Sequence, residues 1–120
     1  MSAYNGQMFQ FERSEREGVT VLTLAGNLDA ATSAGLKKEV VMLTDGGKTR
    51  VAVELGKLTL IDSTGVGVLI SLFKRARAAG GAVHFAGLQG QPKEIFRLLR
   101  LDRSLDLLPT ADDAVAKLKG

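Results

Sequence analysis

The 120-residue chain contains no cysteine and no tryptophan, and it has a single histidine and two prolines. Without cysteine there is no disulfide framework, no thiolate metal site and no thiol nucleophile. The first six residues are mostly small and polar, and no stretch approaches the roughly 20 apolar residues that a membrane-spanning helix needs. We therefore expect a cytoplasmic protein with no signal peptide and no membrane insertion.

Positive charge is only slightly in excess of negative charge. The chain has 16 lysines and arginines against 13 acidic residues, a formal net charge of +3 and a pI near 9.5. A nucleic-acid partner would need basic residues interleaved with aromatic ones, but only 5% of the chain is aromatic and there is no basic tail. We expect a solvated basic face and no nucleic-acid site for the residues Lys74, Arg75, Arg77, Lys93, Arg97, Arg100 and Arg103.

With 120 residues, 45% of them hydrophobic, the chain is long enough for one domain with a true core and too short for two. The sequence predicts a flexible tail over residues 1–6 and one domain over residues 7–120. We find no internal repeat and no linker.

Hydrophobic periodicity predicts a mixed α/β fold. Phe9 and Phe11 alternate with polar residues before a turn at residues 17–18, and an apolar run at 19–25 completes a β-hairpin. Asp29 is a candidate cap for a helix with an apolar stripe. Further strands are expected at residues 51–55 and 82–86, and helices at 64–79, around 92–99 and after 110. The pattern is about four strands and about four helices, with a partly parallel sheet.

Conventional catalytic motifs fail on their spacing. A dinucleotide fingerprint would continue Gly65-x-Gly67 with a small residue, where the chain has Ile70, and no phosphate loop is present. A serine nucleophile elbow would need glycine in place of Ile61. His84, the only imidazole, falls inside a predicted strand with no acid or nucleophile placed by the sequence to assist it. We expect no enzymatic activity, no cofactor and no metal.

Ser63 is the residue of greatest interest, because it follows an apolar run and opens the clearest predicted helix. A helix N-terminus has unpaired N–H groups and a positive dipole end, so it tolerates an attached phosphate. Two interpretations remain open at this point. Asp62 or Ser63 is an ordinary N-cap, or Ser63 is a substrate for another protein.

The chain resembles the STAS domains, and among them the stand-alone anti-sigma factor antagonists, over nearly its whole length from Val19 onward. The resemblance rests on residues 26–29 (GNLD), on residues 60–69 (LIDSTGVGVL) and on residues 79–81 (AGG). It implies a STAS-like fold in which Ser63 is phosphorylated by an anti-sigma factor that is a serine kinase of the histidine-kinase-like ATPase type. A serine phosphatase reverses the step, and only the unphosphorylated antagonist binds the kinase and releases the sigma factor.

The same resemblance implies which residues contact the partner, namely Asn27, Asp29, Asp62, Ser63, Thr64, Gly65 and Gly67. Thr64 is a secondary candidate for phosphorylation, although it is also an ordinary first-turn residue. The absence of side chains at Gly65 and Gly67 would let a nucleotide approach Ser63. Packing of the helix on the sheet is an equally good reason for Gly65.

Three departures from the family pattern stand out. Asn27 replaces an acidic residue, Glu54 replaces an aspartate that commonly ends the third strand, and Arg100 occupies a position that is often glycine. If Arg100 requires a left-handed backbone, the cost is on the order of 1 kcal/mol. Two other functions stay open: a subunit of a transporter ATPase complex or stress-sensing scaffold that uses the Ser63 loop as a contact surface, and a nucleotide-binding module.

Overall fold

The structure is a computed structural model, and it describes residues 8–119. Five strands form one sheet: β1 (Gln10–Arg16), β2 (Val19–Leu28), β3 (Arg50–Ile61), β4 (Ala82–Ala86) and β5 (Asp106–Leu108). Five helices lie between and after the strands: α1 (Ser33–Asp45), α2 (Ser63–Ala78), α3 (Gly90–Leu98), α4 (Leu101–Ser104) and α5 (Ala111–Lys119). The predicted tail over residues 1–6 lies outside the described residues.

The strands lie in the order in which they occur along the chain. β1 and β2 pair antiparallel, and each later neighbour pairs parallel. The hairpin turn has Glu17 at φ 54° and Gly18 at φ 84°, the two left-handed positions that suit the twist of a tight hairpin. The mixed α/β fold and the opening hairpin are confirmed.

Both faces of the parallel strands are buried, because helices cover each side of the sheet. On β3, Val53 faces the larger core beneath α1, α2 and α3, while its neighbour Ala52 faces the smaller core beneath α5. The predicted apolar stripe of α1 is confirmed, since Leu36, Val40 and Leu43 are all buried. Because crossover helices return the chain after β2 and after β3, α1 and α2 lie side by side and begin at the same end of the sheet.

Four details differ from the expectations. The sheet contains β5, and a short α4 precedes it; both are too brief to show a periodic pattern. α2 begins at Ser63, one residue earlier than predicted. β3 does not end near Glu54, because the Glu54 carboxylate accepts a hydrogen bond from the Gly56 N–H (2.5 Å) where the register with β2 shifts, and the strand runs on to Ile61.

Arg100 adopts the left-handed conformation considered from the sequence, with φ at 60°, and it separates α3 from α4. Across residues 8–119, no helix combines the length and apolarity that crossing a membrane would require.

Candidate functional site

Ser63 lies on the surface where β3 passes into α2. β3 ends at Ile61, Asp62 occupies the N-cap position, and Ser63 is the first helical residue. Ser63 and Thr64 are both exposed, whereas Gly65 and Val66 are buried. The candidate hydroxyl is therefore presented to solvent by a helix whose next residues are anchored in the core.

The Asp62 side chain fixes this junction through both of its oxygens. Oδ1 accepts a hydrogen bond from the N–H of Gly65 (2.9 Å), which caps α2, and Oδ2 accepts one from the N–H of Ala30 (3.1 Å) in the loop before α1. The cap is therefore Asp62. The interpretation of this site as an N-cap is thus confirmed for Asp62, and Ser63 is not needed for that role.

The helix ends at the junction favour an added anion, whereas the carboxylates of Asp62 and Asp29 oppose it. Neither α1 nor α2 carries an acidic residue in its first turn. Both helices begin at this end of the sheet, so the positive ends of two helix dipoles lie near Ser63. The two helix ends would therefore offset part of the repulsion between an attached phosphate and the neighbouring Asp62 carboxylate.

Asp29 has a structural role that differs from the one expected. Its Oδ1 accepts hydrogen bonds from the N–H groups of Ala31 (3.0 Å) and Thr32 (3.1 Å), and Thr32, not Asp29, occupies the N-cap position of α1. The Thr32 hydroxyl donates to the carbonyl oxygen of Asn27 (2.7 Å). The expected helix cap at Asp29 is thus wrong; this carboxylate closes a turn that holds Asn27 and α1 together.

Asn27 lies at the same end of the sheet as Ser63. It is half-buried and stands opposite Leu60 in the register between β2 and β3, next to a register shift. The N–H of Asp62 donates to the carbonyl oxygen of Leu28 (3.2 Å), which ties the two strand ends together. The structure therefore brings Asn27, Asp29 and Asp62 to one edge with Ser63.

Gly65 and Gly67 are in different environments. A Cβ atom at Gly65 would lie 2.6 Å from the carbonyl oxygen of Leu28 and 2.8 Å from Cγ1 of Ile61, so packing of α2 on the sheet requires glycine there. A Cβ atom at Gly67 would meet nothing within 4 Å, and this residue is exposed. The two explanations given for Gly65 are thus resolved in favour of packing, while Gly67 leaves open surface next to Ser63.

Two glutamines that the sequence analysis did not single out also hold the junction. The Gln91 side chain accepts a hydrogen bond from the N–H of Ile61 (2.9 Å) and donates one to its carbonyl oxygen (3.0 Å). The Gln89 side chain donates to the carbonyl oxygen of Gly56 (2.7 Å). β3 extends past its pairing with β4, and these amides occupy that edge. No periodic signal marks them, because both lie in the predicted return loop after β4.

His84 lies away from Ser63. It is buried on β4 opposite Ala52 and Asp106, on the sheet face that α5 covers. Its Nδ1 is 3.2 Å from Oδ2 of Asp106, without the alignment of a hydrogen bond. Burial lowers the pKa of His84 from its ordinary value, and this effect outweighs the opposing effect of Asp106. The imidazole is not placed to act on Ser63.

Known proteins are similar to this chain in sequence or in fold. The chain is 27% identical to the candidate anti-sigma factor antagonist BtrV of Bordetella bronchiseptica, over 83% of this chain and 84% of that protein. An anti-sigma factor antagonist from Mycobacterium paratuberculosis superposes with a TM-score of 0.87 at 17% identity, covering 97% of this chain and 98% of that one. The phosphorylated form of the Bacillus cell fate determinant SpoIIAA superposes with a TM-score of 0.71 at 20% identity, covering 91% and 97%.

At these identities the solved structures establish the fold alone. The family model described as the STAS domain matches residues 10–114, from the start of β1 into α5. That span contains the whole sheet and the Ser63 junction. The chain therefore belongs to the STAS domain family.

Proposed function

We propose that this protein is an anti-sigma factor antagonist. In its unphosphorylated form it binds a serine-kinase anti-sigma factor of the histidine-kinase-like ATPase type through the Ser63 junction, and phosphorylation of Ser63 releases it. A serine phosphatase restores the binding form. The protein acts in the cytoplasm, where ATP is available to the kinase, and it catalyses no reaction itself.

The observation that carries the proposal is the exposed Ser63 residue on a junction held by hydrogen bonds and close packing. Asp62 caps the helix, Gly65 packs against Leu28, and Gln91 holds Ile61. Ser63 therefore has no role in holding the junction, and it is accessible to a kinase. The name of BtrV and the phosphorylated state of SpoIIAA, a protein of the same fold, support the same function.

The physical effect of the phosphate supports a switch in binding. A phosphoserine adds a charge of roughly −1.5 to −2 at neutral pH, and the positive helix ends stabilise it in the free protein. Against a partner surface shaped for a neutral hydroxyl, the same charge costs several kcal/mol in desolvation and repulsion. Since about 1.4 kcal/mol is a tenfold change in affinity, one phosphate is enough to dissociate the complex.

The test is incubation of the chain with its kinase and ATP, followed by intact-mass measurement and by titration to obtain Kd. Wild type and Thr64→Ala should each gain one phosphate, whereas Ser63→Ala should gain none. Ser63→Ala should bind the kinase as tightly as the unmodified wild type, and Ser63→Asp should bind weakly. Thr64→Ala is the matched control, because Thr64 is also an exposed hydroxyl in the first turn of α2.

Two results would contradict the proposal. A wild-type chain that gains no phosphate removes the kinase step. Equal binding by wild type, Ser63→Ala and Ser63→Asp would mean that the junction is a constitutive contact surface, as in a scaffold or a transporter subunit.

A further inference from the structure

β1 is an edge strand, and within residues 8–119 its outer side pairs with no other strand. Arg16 and Val19 flank the two-residue turn, so they form a hydrogen-bonded pair, and such pairs alternate along an antiparallel ladder. The N–H and C=O groups of Phe11, Arg13 and Glu15 therefore point away from β2. They form a template on which another strand can pair.

The charges of β1 select one way of pairing it with a second β1. A two-fold antiparallel pair that uses the outward groups is centred on one residue of the strand. Centring on any charged residue places two identical charges directly opposite each other, which is destabilising. Centring on Ser14 instead places Arg13 opposite Glu15 and Glu12 opposite Arg16, each twice by symmetry. Every charge of β1 then faces the opposite sign.

The contacts that these side chains make within the chain leave room for such a partner. Arg13 lies 3.3 Å from Glu39 through Nη1 and 3.7 Å from Glu15 through Nε, and Arg16 lies 2.7 Å from Asp112 through Nη2. Each guanidinium has five N–H donors, so it can hold a further carboxylate. These residues are exposed or nearly so, and exposed ion pairs are weak enough to rearrange on association.

An exposed apolar side chain lies on the α1 side of the same edge. A Cβ atom at Gly35 would lie 3.9 Å from Cε2 of Phe11, and Glu39 contacts Arg13, so one face of α1 follows β1. Met42 is three positions beyond Glu39 on that face, and 59% of it is exposed. In the two-fold pairing both copies of α1 lie on the same side of the joined sheet, so Met42 adds apolar contact area beside the edge.

We infer that β1 is a docking surface for a second copy of this chain, with Ser14 on the two-fold axis. The two sheets join edge to edge, and the register is set by the alternation of acidic and basic residues along β1. This inference goes beyond the proposed function and does not depend on it, because β1 lies outside the Ser63 junction.

A charge exchange tests the register, with sedimentation over a dilution series to measure molecular mass. Wild type should pass from one chain to two as its concentration rises. Glu12→Arg and Arg16→Glu should each raise the dissociation constant of the dimer by about tenfold or more, because like charges then face each other. An equimolar mixture of these two variants should recover the affinity, since every arginine meets a glutamate of the other copy. Glu94→Arg is the control, because it makes the same change at an exposed residue of α3 and should leave the constant unchanged.

Crosslinking gives a second test, because the chain has no cysteine of its own. Ser14 would face its counterpart in a non-hydrogen-bonded pair, where the Cα atoms are about 4.5 Å apart and a disulfide can form. Ser14→Cys should therefore give a covalent dimer under mild oxidation. Glu12→Cys is the control on the same face of β1, and it should not crosslink, because its counterpart is displaced along the partner strand.

Three results would overturn the inference. A wild-type mass that stays at one chain throughout the dilution series would mean that β1 does not pair. A dimer whose affinity the mixture of Glu12→Arg and Arg16→Glu does not recover would form through another surface. Equal crosslinking by the two cysteine variants would mean that the register is not centred on Ser14. None of these results bears on the phosphorylation of Ser63.

Discussion

The side-chain amide of Gln91 pairs with the main chain of Ile61 as a neighbouring strand would, with hydrogen bonds of 2.9 and 3.0 Å. Gln91 lies in the first turn of α3, and Ile61 ends the strand that leads to Ser63. The amide therefore satisfies strand-edge groups that β4 does not reach, and it fixes the direction in which the chain enters α2.

Gln91→Ala should lower the free energy of unfolding by about 1–3 kcal/mol, because it leaves an N–H and a C=O group of Ile61 without partners. The same variant should weaken kinase binding through the displaced junction. Gln89→Ala is the control, since Gln89 is exposed and makes a single hydrogen bond to Gly56. Urea denaturation measures the stability of both variants, and titration against the kinase measures the binding. Equal stability losses in the two variants would mean that the pairing with Ile61 contributes no more than the single hydrogen bond of Gln89.

The two glycines of α2 should respond in opposite directions to alanine. Gly65→Ala should destabilise the fold by about 1–3 kcal/mol, because its methyl group would lie too close to Leu28 and Ile61. Gly67→Ala should be neutral or stabilising by up to about 1 kcal/mol, since its methyl group meets open space in a helix. Chemical denaturation compares them. A destabilised Gly67→Ala protein would contradict the open environment described for that residue.

Substitutions of Asp62 and Ser63 should have different effects on stability, because Asp62 has a structural role and Ser63 does not. Asp62→Ala removes the cap of α2 and the link to Ala30, and should cost about 1–2 kcal/mol of stability. Ser63→Ala should change stability by less than about 0.5 kcal/mol, because this exposed hydroxyl does not cap the helix. Thermal and urea unfolding give the comparison, and a large stability loss in Ser63→Ala would show that the hydroxyl is structural.

The stability of the protein should fall on mild acidification because of His84. Its pKa is lowered in the folded state by burial, while the unfolded state titrates near the ordinary value of 6.5. The unfolded chain therefore binds more protons below that value, and the free energy of unfolding decreases as the pH falls through about 6.5 towards the lower folded pKa. Above about 6.5 the contribution of His84 is complete.

Denaturant titrations from about pH 7.5 to about pH 5.5 measure this dependence. His84→Gln should flatten it, whatever its effect on the overall stability. Asp106→Asn should extend the loss to lower pH, because Asp106 is the group that raises the pKa of His84. An unchanged pH slope in His84→Gln would assign the effect to other groups.

Much of the fold can be predicted from the local spacing of hydrophobic residues in the sequence. The hairpin, the alternation of strands and helices, the buried face of α1 and the start of α2 near Ser63 all follow from hydrophobic spacing over a few residues. β5 was missed because a strand of three residues is too short to show an alternation of apolar and polar side chains. The extension of β3 past Glu54 was missed because a side-chain hydrogen bond at a register shift does not appear in the spacing of apolar residues.

The sequence by itself determined that a small hydroxyl-bearing residue follows an apolar strand and opens an amphipathic helix, since each of these properties is local. Only the tertiary structure decided that Asp62 holds Ala30 and that Gln91 holds Ile61 from 30 positions away. These contacts join segments that are distant in the chain. Their existence depends on how α1, α2 and α3 pack against one sheet end, which local periodicity does not encode.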